Sequence, residues 1–175
     1  MRTLQTVGYR IGDVVEVASN DEGFVGSYYE ATVVGQLIAS NVYIVQYKNL
    51  MTDDFSAPLT ENVPLDQIRP QPPQVQSTFF NMYQVVDAFD NDGWWVGQIT
   101  RKMKNRYYVY FENFDEENLY HKDHIRIHHD WEPRVTDFDD TKLSEETPNF
   151  RSSPLVGSEI SQRRKGRVNS ASLEE

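Results

Sequence analysis

The sequence predicts an all-β protein made of two small antiparallel barrels in tandem, followed by a polar C-terminal tail. Three observations carry this reading. Short β-branched and aromatic runs alternate with Asp, Asn, Gly and Ser turn signals, at the spacing of roughly 8–12 residues seen in small sandwiches and barrels. No stretch of about 11 residues or more has helical periodicity. The strand-like pattern also occurs twice, in the same order, on either side of Arg69-Pro70-Gln71-Pro72-Pro73. Proline there disfavours a central strand or helix and favours an extended connection.

The first unit spans 7–73. Strands are expected at 14–17, 30–37 and 42–47, where β-branched and aromatic residues cluster. Asn20-Asp21-Glu22-Gly23 reads as a turn, and the stretch around 56–63 reads as a longer loop. The second unit spans 77–132, with strands at 83–89, 94–103, 106–111 and 123–128 and a turn at Asn91-Asp92-Gly93. Beyond it, 133–175 is expected to be mostly disordered, because Asp, Ser, Thr, Pro and Arg dominate and too little apolar area exists to offset ordering entropy.

The two units resemble each other in detail. Asp21-Glu22-Gly23 with Tyr28-Tyr29-Glu30-Ala31 matches Asp90-Asn91-Asp92-Gly93 with Trp94-Trp95-Val96-Gly97. Val42-Tyr43-Ile44-Val45-Gln46-Tyr47 matches Arg106-Tyr107-Tyr108-Val109-Tyr110-Phe111, and Asp66-Gln67-Ile68-Arg69 matches Asp123-His124-Ile125-Arg126. The offset shrinks from 66 to 64 to 57, so the first copy carries the longer connections. A unit near 60 residues is marginal for a lone core, and the pair is expected to pack together.

Composition narrows the function. The chain has 175 residues, no cysteine and 13% aromatic residues, which removes disulfides, thiol catalysis and Cys-ligated zinc. No apolar run is long enough for a membrane helix, and the first ten residues do not look like a secretory signal. The net charge is −10, divided into −12 over residues 1–150 and +2 over 151–175. An acidic body repels phosphate backbones and attracts Lys/Arg-rich segments. No phosphate-binding glycine loop, nucleophile elbow or HExxH string is present. We expect no catalysis, no cofactor and no metal. His121, His124, His128 and His129 cluster late in the second unit, where imidazole could bind zinc; 123–129 is read instead as a last strand with Ile125 and Ile127 on one face and His124, Arg126 and His128 on the other, exposed one.

Taken together, these strings resemble tandem Agenet proteins, the plant branch of the Tudor-like (Royal) barrels. In the first copy the resemblance rests on Gly12-Asp13-Val14-Val15-Glu16-Val17, Glu22-Gly23-Phe24-Val25-Gly26-Ser27-Tyr28-Tyr29-Glu30-Ala31, Val45-Gln46-Tyr47-Lys48-Asn49-Leu50 and Ile68-Arg69-Pro70. In the second it rests on Val85-Val86-Asp87-Ala88-Phe89, Asp92-Gly93-Trp94-Trp95-Val96-Gly97 and Tyr108-Val109-Tyr110-Phe111. The resemblance implies two five-stranded antiparallel barrels that bind protein tails. Several plant members of the family are described as readers of methyl-lysine on histone tails, so it also implies a nuclear chromatin reader that performs no chemistry.

A methylated lysine has lost hydrogen-bond donors and gained apolar surface, so a site preferring it offers ring faces. Mapped from the family, such a cage falls on Phe89, Trp95, Phe111 and Phe114, with Asp90, Asp92, Asp115 and Glu116 as acidic contacts for a basic peptide. In the first copy the pattern falls on Tyr29 and Tyr47, with Asp21 and Glu22 nearby, and Phe24 or Tyr28 as further rings. The expected partner is a histone tail, with other chromatin proteins as further partners, and the tail cluster at 162–167 is of the nuclear-import kind. Two alternatives stay open. One is nucleic-acid binding through Arg101, Lys102, Lys104 and Arg106 with Tyr107 and Tyr108 for stacking. The other is an adaptor indifferent to methylation.

Overall fold

The computed structural model describes residues 8–75 and 79–131. The expected tail at 133–175, with its basic cluster, lies outside them. Among the described residues ten strands form, five per unit. They are β1 (Val14–Ala18), β2 (Ser27–Leu37), β3 (Val42–Met51), β4 (Pro58–Pro64) and β5 (Ile68–Pro70), then β6 (Val85–Asp90), β7 (Gly93–Met103), β8 (Arg106–Phe111), β9 (Glu116–His121) and β10 (Ile125–Ile127). No α-helix occurs among the described residues; a 3-10 turn precedes each closing strand, at Leu65–Gln67 and Lys122–His124.

The two units share one topology. Antiparallel pairing runs β5-β1-β2-β3-β4 in the first and β10-β6-β7-β8-β9 in the second. Both long second strands have 11 residues and change register at the same point, between Val33 and Gly35 in β2 and between Ile99 and Arg101 in β7. An extra residue there bends the strand, which lets one strand serve both sides of a small barrel. Gly97 sits just before the second bend, where an added Cβ would come within 2.5 Å of Val109 and 2.8 Å of the Tyr110 carbonyl oxygen. The inward rows are those that alternation predicts: Trp95, Gly97 and Ile99 on β7, and Tyr107, Val109 and Phe111 on β8, are all buried.

Two expectations are corrected. The stretch 56–63, read as loop, falls largely within β4, and the run from Glu116 to His121, assigned to no strand, forms β9. Both lie at the end of the pairing order, so each has one neighbour only. Proline is tolerated at such an edge, and of the two charges that open β9, Glu117 falls on its less buried side.

The units also join directly. Ser27 and Tyr28 at the start of β2 pair with Trp95 and Trp94 at the start of β7, which makes one ten-stranded sheet. Behind this seam lies an ionic cluster. Glu16 on β1 faces Arg69 on β5, and Asp87 on β6 faces Arg126 on β10. The two carboxylates are fully buried and Arg69 is 3% exposed. Each arginine then crosses over: Arg126 donates to both Glu16 oxygens at 2.6 and 2.9 Å, and Arg69 reaches Asp87 at 3.4 Å. Arg69 lies over the Tyr28 ring and Arg126 over the Trp94 ring, at 3.3 and 4.0 Å. His128 adds a contact to Asp87 at 2.6 Å. Arg126 and His128, expected on an exposed strand face, therefore point into the junction between barrels.

Candidate functional site

A run of rings crosses the seam on its other side. Trp95 meets Phe114 at 5.5 Å, Tyr29 at 6.4 Å and Phe24 at 6.1 Å between ring centroids, and Tyr29 meets Tyr47 at 6.5 Å. The Phe114, Tyr29 and Tyr47 contacts are edge-to-face, the geometry that aligns a positive ring edge with a negative face. Asp90 ties further rings to this run. Its carbonyl oxygen accepts the Trp95 indole N–H at 2.8 Å, and its carboxylate accepts the Tyr120 hydroxyl at 2.7 Å. Tyr120 in turn packs on Phe111 at 6.0 Å. Asp90 thus links Trp95, through its backbone, to Tyr120, through its carboxylate.

Local structure explains each position. Trp95 and Phe111 lie on the inward rows of β7 and β8, and each is 1% exposed. Phe114 belongs to the turn between β8 and β9, which closes on itself through the Phe114 N–H to the Phe111 carbonyl and holds Asp115 at φ 53°. Phe24 comes from the turn between β1 and β2, where its N–H is bonded to the Asp21 carbonyl. Gly26 (φ 85°) then lets the chain reverse into β2. Gly93 takes part too, because a Cβ there would meet the Tyr29 ring at 2.8 Å.

Of the four mapped cage positions, Trp95 and Phe114 touch, and Phe111 joins them through Tyr120 and Asp90. Phe89 does not. The inward residue at that end of β6 is Ala88, paired with Trp95, so Phe89 faces outward with Trp94 at 5.1 Å. Phe89 and Trp94 line a separate cleft of about 300 Å³ with Glu30, Lys48, Asp92 and Asp123. Asp92 therefore belongs with Phe89 and not with the ring run. Asp115 accepts the Tyr110 hydroxyl at 2.9 Å, and Glu116 stands opposite Phe111 in the β8–β9 register. Asp21 and the exposed Glu22 lie in the turn that carries Phe24. Tyr29 and Tyr47, read as first-copy contacts, are the inner continuation of the same run.

Tyr120 is the residue that sequence reasoning missed. The alternation of β9, with Leu119 outside and Tyr120 inside, was the available signal. A second recess, of about 580 Å³, lies between the barrels, lined by Gly26, Tyr28, Val96, Tyr110, Asn113 and His128 among others. Asn113 spans its rim, donating to the Val25 carbonyl at 2.8 Å.

Electrostatics at the junction follow from burial and pairing. Burial alone would raise the Asp87 carboxyl, but the His128 hydrogen bond and the nearby Arg126 hold it below its ordinary value. His128 is pushed up from its usual 6.5, chiefly by its hydrogen bond to Asp87, against the opposing effect of burial. Among the described residues no three His, Asp or Glu side chains are placed to hold a metal ion.

The Agenet domain model matches residues 12–73. Two crystal structures from this family superpose on the tandem arrangement: the AGD34 portion of Arabidopsis thaliana AGDP1, at 34% identity and TM-score 0.65, and the ADCP1 tandem Agenet domain 3-4, at 32% and 0.61. Each match covers 70% of this chain, and 84% and 82% of the solved ones. This chain belongs to the Agenet family. Among Arabidopsis thaliana proteins, this tandem Agenet chain is 36% identical to AGENET DOMAIN (AGD)-CONTAINING P1 over 121 residues and 32% identical to DUF724 domain-containing protein 6 over 127. It spans only 23% and 18% of their lengths. Agenet domains are protein-interaction modules.

Proposed function

We propose that the tandem Agenet pair is a non-catalytic chromatin reader in the nucleus, and that it takes a methylated lysine of a histone tail at the ring run around Asp90. One observation supports the reading: Asp90 joins Trp95 through its backbone carbonyl and Tyr120 through its carboxylate, in a run of rings that Phe111 and Phe114 extend and that Phe24 and Tyr29 of the other barrel continue. A methylammonium gains from ring faces. A dimethylammonium still has one N–H to donate to a carboxylate, whereas a trimethylammonium has none. The acidic net charge favours the basic residues that flank lysines in such tails, and the recess between the barrels offers the peptide a course past Tyr110 and Asn113.

Calorimetry with histone-tail peptides carrying no, two or three methyl groups tests this. Phe114→Ala removes a half-buried ring and is expected to weaken methyl-peptide binding by about 0.5–2 kcal/mol, roughly two- to thirtyfold. Asp90→Asn is expected to narrow the difference between dimethyl and trimethyl peptides. Equal affinity of the unaltered protein for methylated and unmodified peptides would defeat the reading and favour an adaptor indifferent to methylation.

A further inference from the structure

The hairpin joining β7 and β8 is basic in a chain whose net charge is −10. Arg101, Lys102, Lys104 and Arg106 fill four of six successive positions, and all four are exposed. Their surroundings separate them. Arg101 is paired with Glu117 and lies over the Tyr108 ring at 3.9 Å. Lys102 stands 3.8 Å over the Phe79 ring. Lys104 occupies the tip at φ 50°, and Arg106 stands opposite His121. Lys102, Lys104 and Arg106 have no carboxylate partner among the described residues. Lys104, Asn105, Arg106 and His121 border a cleft of about 660 Å³ beside this tip.

We propose that this hairpin tip is a contact for the phosphate backbone of duplex DNA. Single-stranded nucleic acid is held by stacking bases on free rings, and each ring here is buried or has a cation over it. Tyr107 is buried, Tyr108 is covered by Arg101, and Phe79 by Lys102. The charge exposed there is cationic, set beside the exposed Met103 and Leu119, and cations on phosphates position a protein without reading sequence. The tip lies at the far end of β7 from Trp95, eight residues or roughly 25 Å of strand away, so DNA held there does not occupy the ring run. The acidic charge of the body is damped over a Debye length of about 8 Å at physiological salt.

The test is fluorescence anisotropy of the full chain with a labelled duplex of about 20 base pairs. Three neutralised phosphates give a slope of about −2.7 in log affinity against log salt, so affinity should fall about fortyfold between 50 and 200 mM salt. The charge-reversed K104E/R106E variant should lose binding at low salt by more than about tenfold, with an unchanged melting temperature. Lys48→Gln, which removes a surface cation elsewhere, should bind as the unaltered protein does. The proposal is overturned by no anisotropy change at low salt, or by loss of equal size in Lys48→Gln. Tighter binding of a single-stranded RNA, or of polyglutamate, overturns it as well. None of these readouts uses a methylated peptide, so the result stands apart from the reader function.

Discussion

Gly97 has almost no space around its α-carbon: the Val109 side chain and the Tyr110 carbonyl would lie 2.5 and 2.8 Å from an added methyl. Since the second contact is backbone, relief requires β7 and β8 to separate. Gly97→Ala is expected to destabilise the protein by about 1–3 kcal/mol, read as a fall in thermal midpoint. Trp95→Ala removes a buried ring at the seam and is expected to cost about 3–5 kcal/mol, so lost peptide binding in that variant would report on folding. Phe114, half-buried in a turn, is the ring whose removal reads on the ligand. Much of this was legible residue by residue. Strict alternation along β7 and β8 puts Trp95 and Phe111 inward without any coordinates. Phe89 was misplaced because position in a motif was used where parity decides: Ala88 takes the inward place, and one residue of shift reverses the face.

At the scale of strands, the closing pair of each barrel carries the strongest interactions. Glu16 and Asp87 are buried with Arg69 and Arg126 as partners, and removing one partner from such a cluster leaves an uncompensated charge, a loss of about 3–5 kcal/mol. Arg126→Met is expected to lie in that range by chemical denaturation, while Lys48→Gln, which breaks an exposed pair with Glu30, is expected to change stability by no more than about 1 kcal/mol. The junction is also pH-dependent. His128 is raised in the folded state, so its contribution is fully present below the unfolded value near 6.5 and is lost as pH rises through its folded value. Asp87 is lowered; its contribution is present above about 3.8, the ordinary value, and is lost as pH falls through the folded one. Thermal midpoints should therefore decline above roughly pH 6.5, and His128→Gln should flatten that limb. The strands themselves were unequally readable. β-branched and aromatic runs disclosed β2, β3, β7 and β8, whereas β4 is bounded by Pro58 and Pro64 and β9 opens on Glu116 and Glu117. Edge strands tolerate such residues because half their hydrogen-bonding groups need no partner.

At the scale of the molecule, neither barrel is self-contained. Tyr29 of the first packs on Trp95 of the second, and the arginine of each barrel reaches the carboxylate of the other. A chain lacking residues 1–75 is expected to expose Asp87, Trp94 and Arg126 and to melt well below the intact pair, by calorimetry. The repeat in the sequence foretold two copies of one topology, and the marginal size of each foretold that they would pack. It did not foretell the ion cluster, since Arg69 and Arg126 were visible as recurring letters but their exchange of partners needs three dimensions.

That exchange has a consequence for ancestry. An arginine that stacks on its own barrel's ring while gripping the opposite barrel's acid is the arrangement two identical subunits would make about a twofold axis. A symmetrised chain, in which the first unit is replaced by a second copy of 79–131, should close the same junction with Asp87 twice and Arg126 twice, and fold as a compact pseudo-dimer.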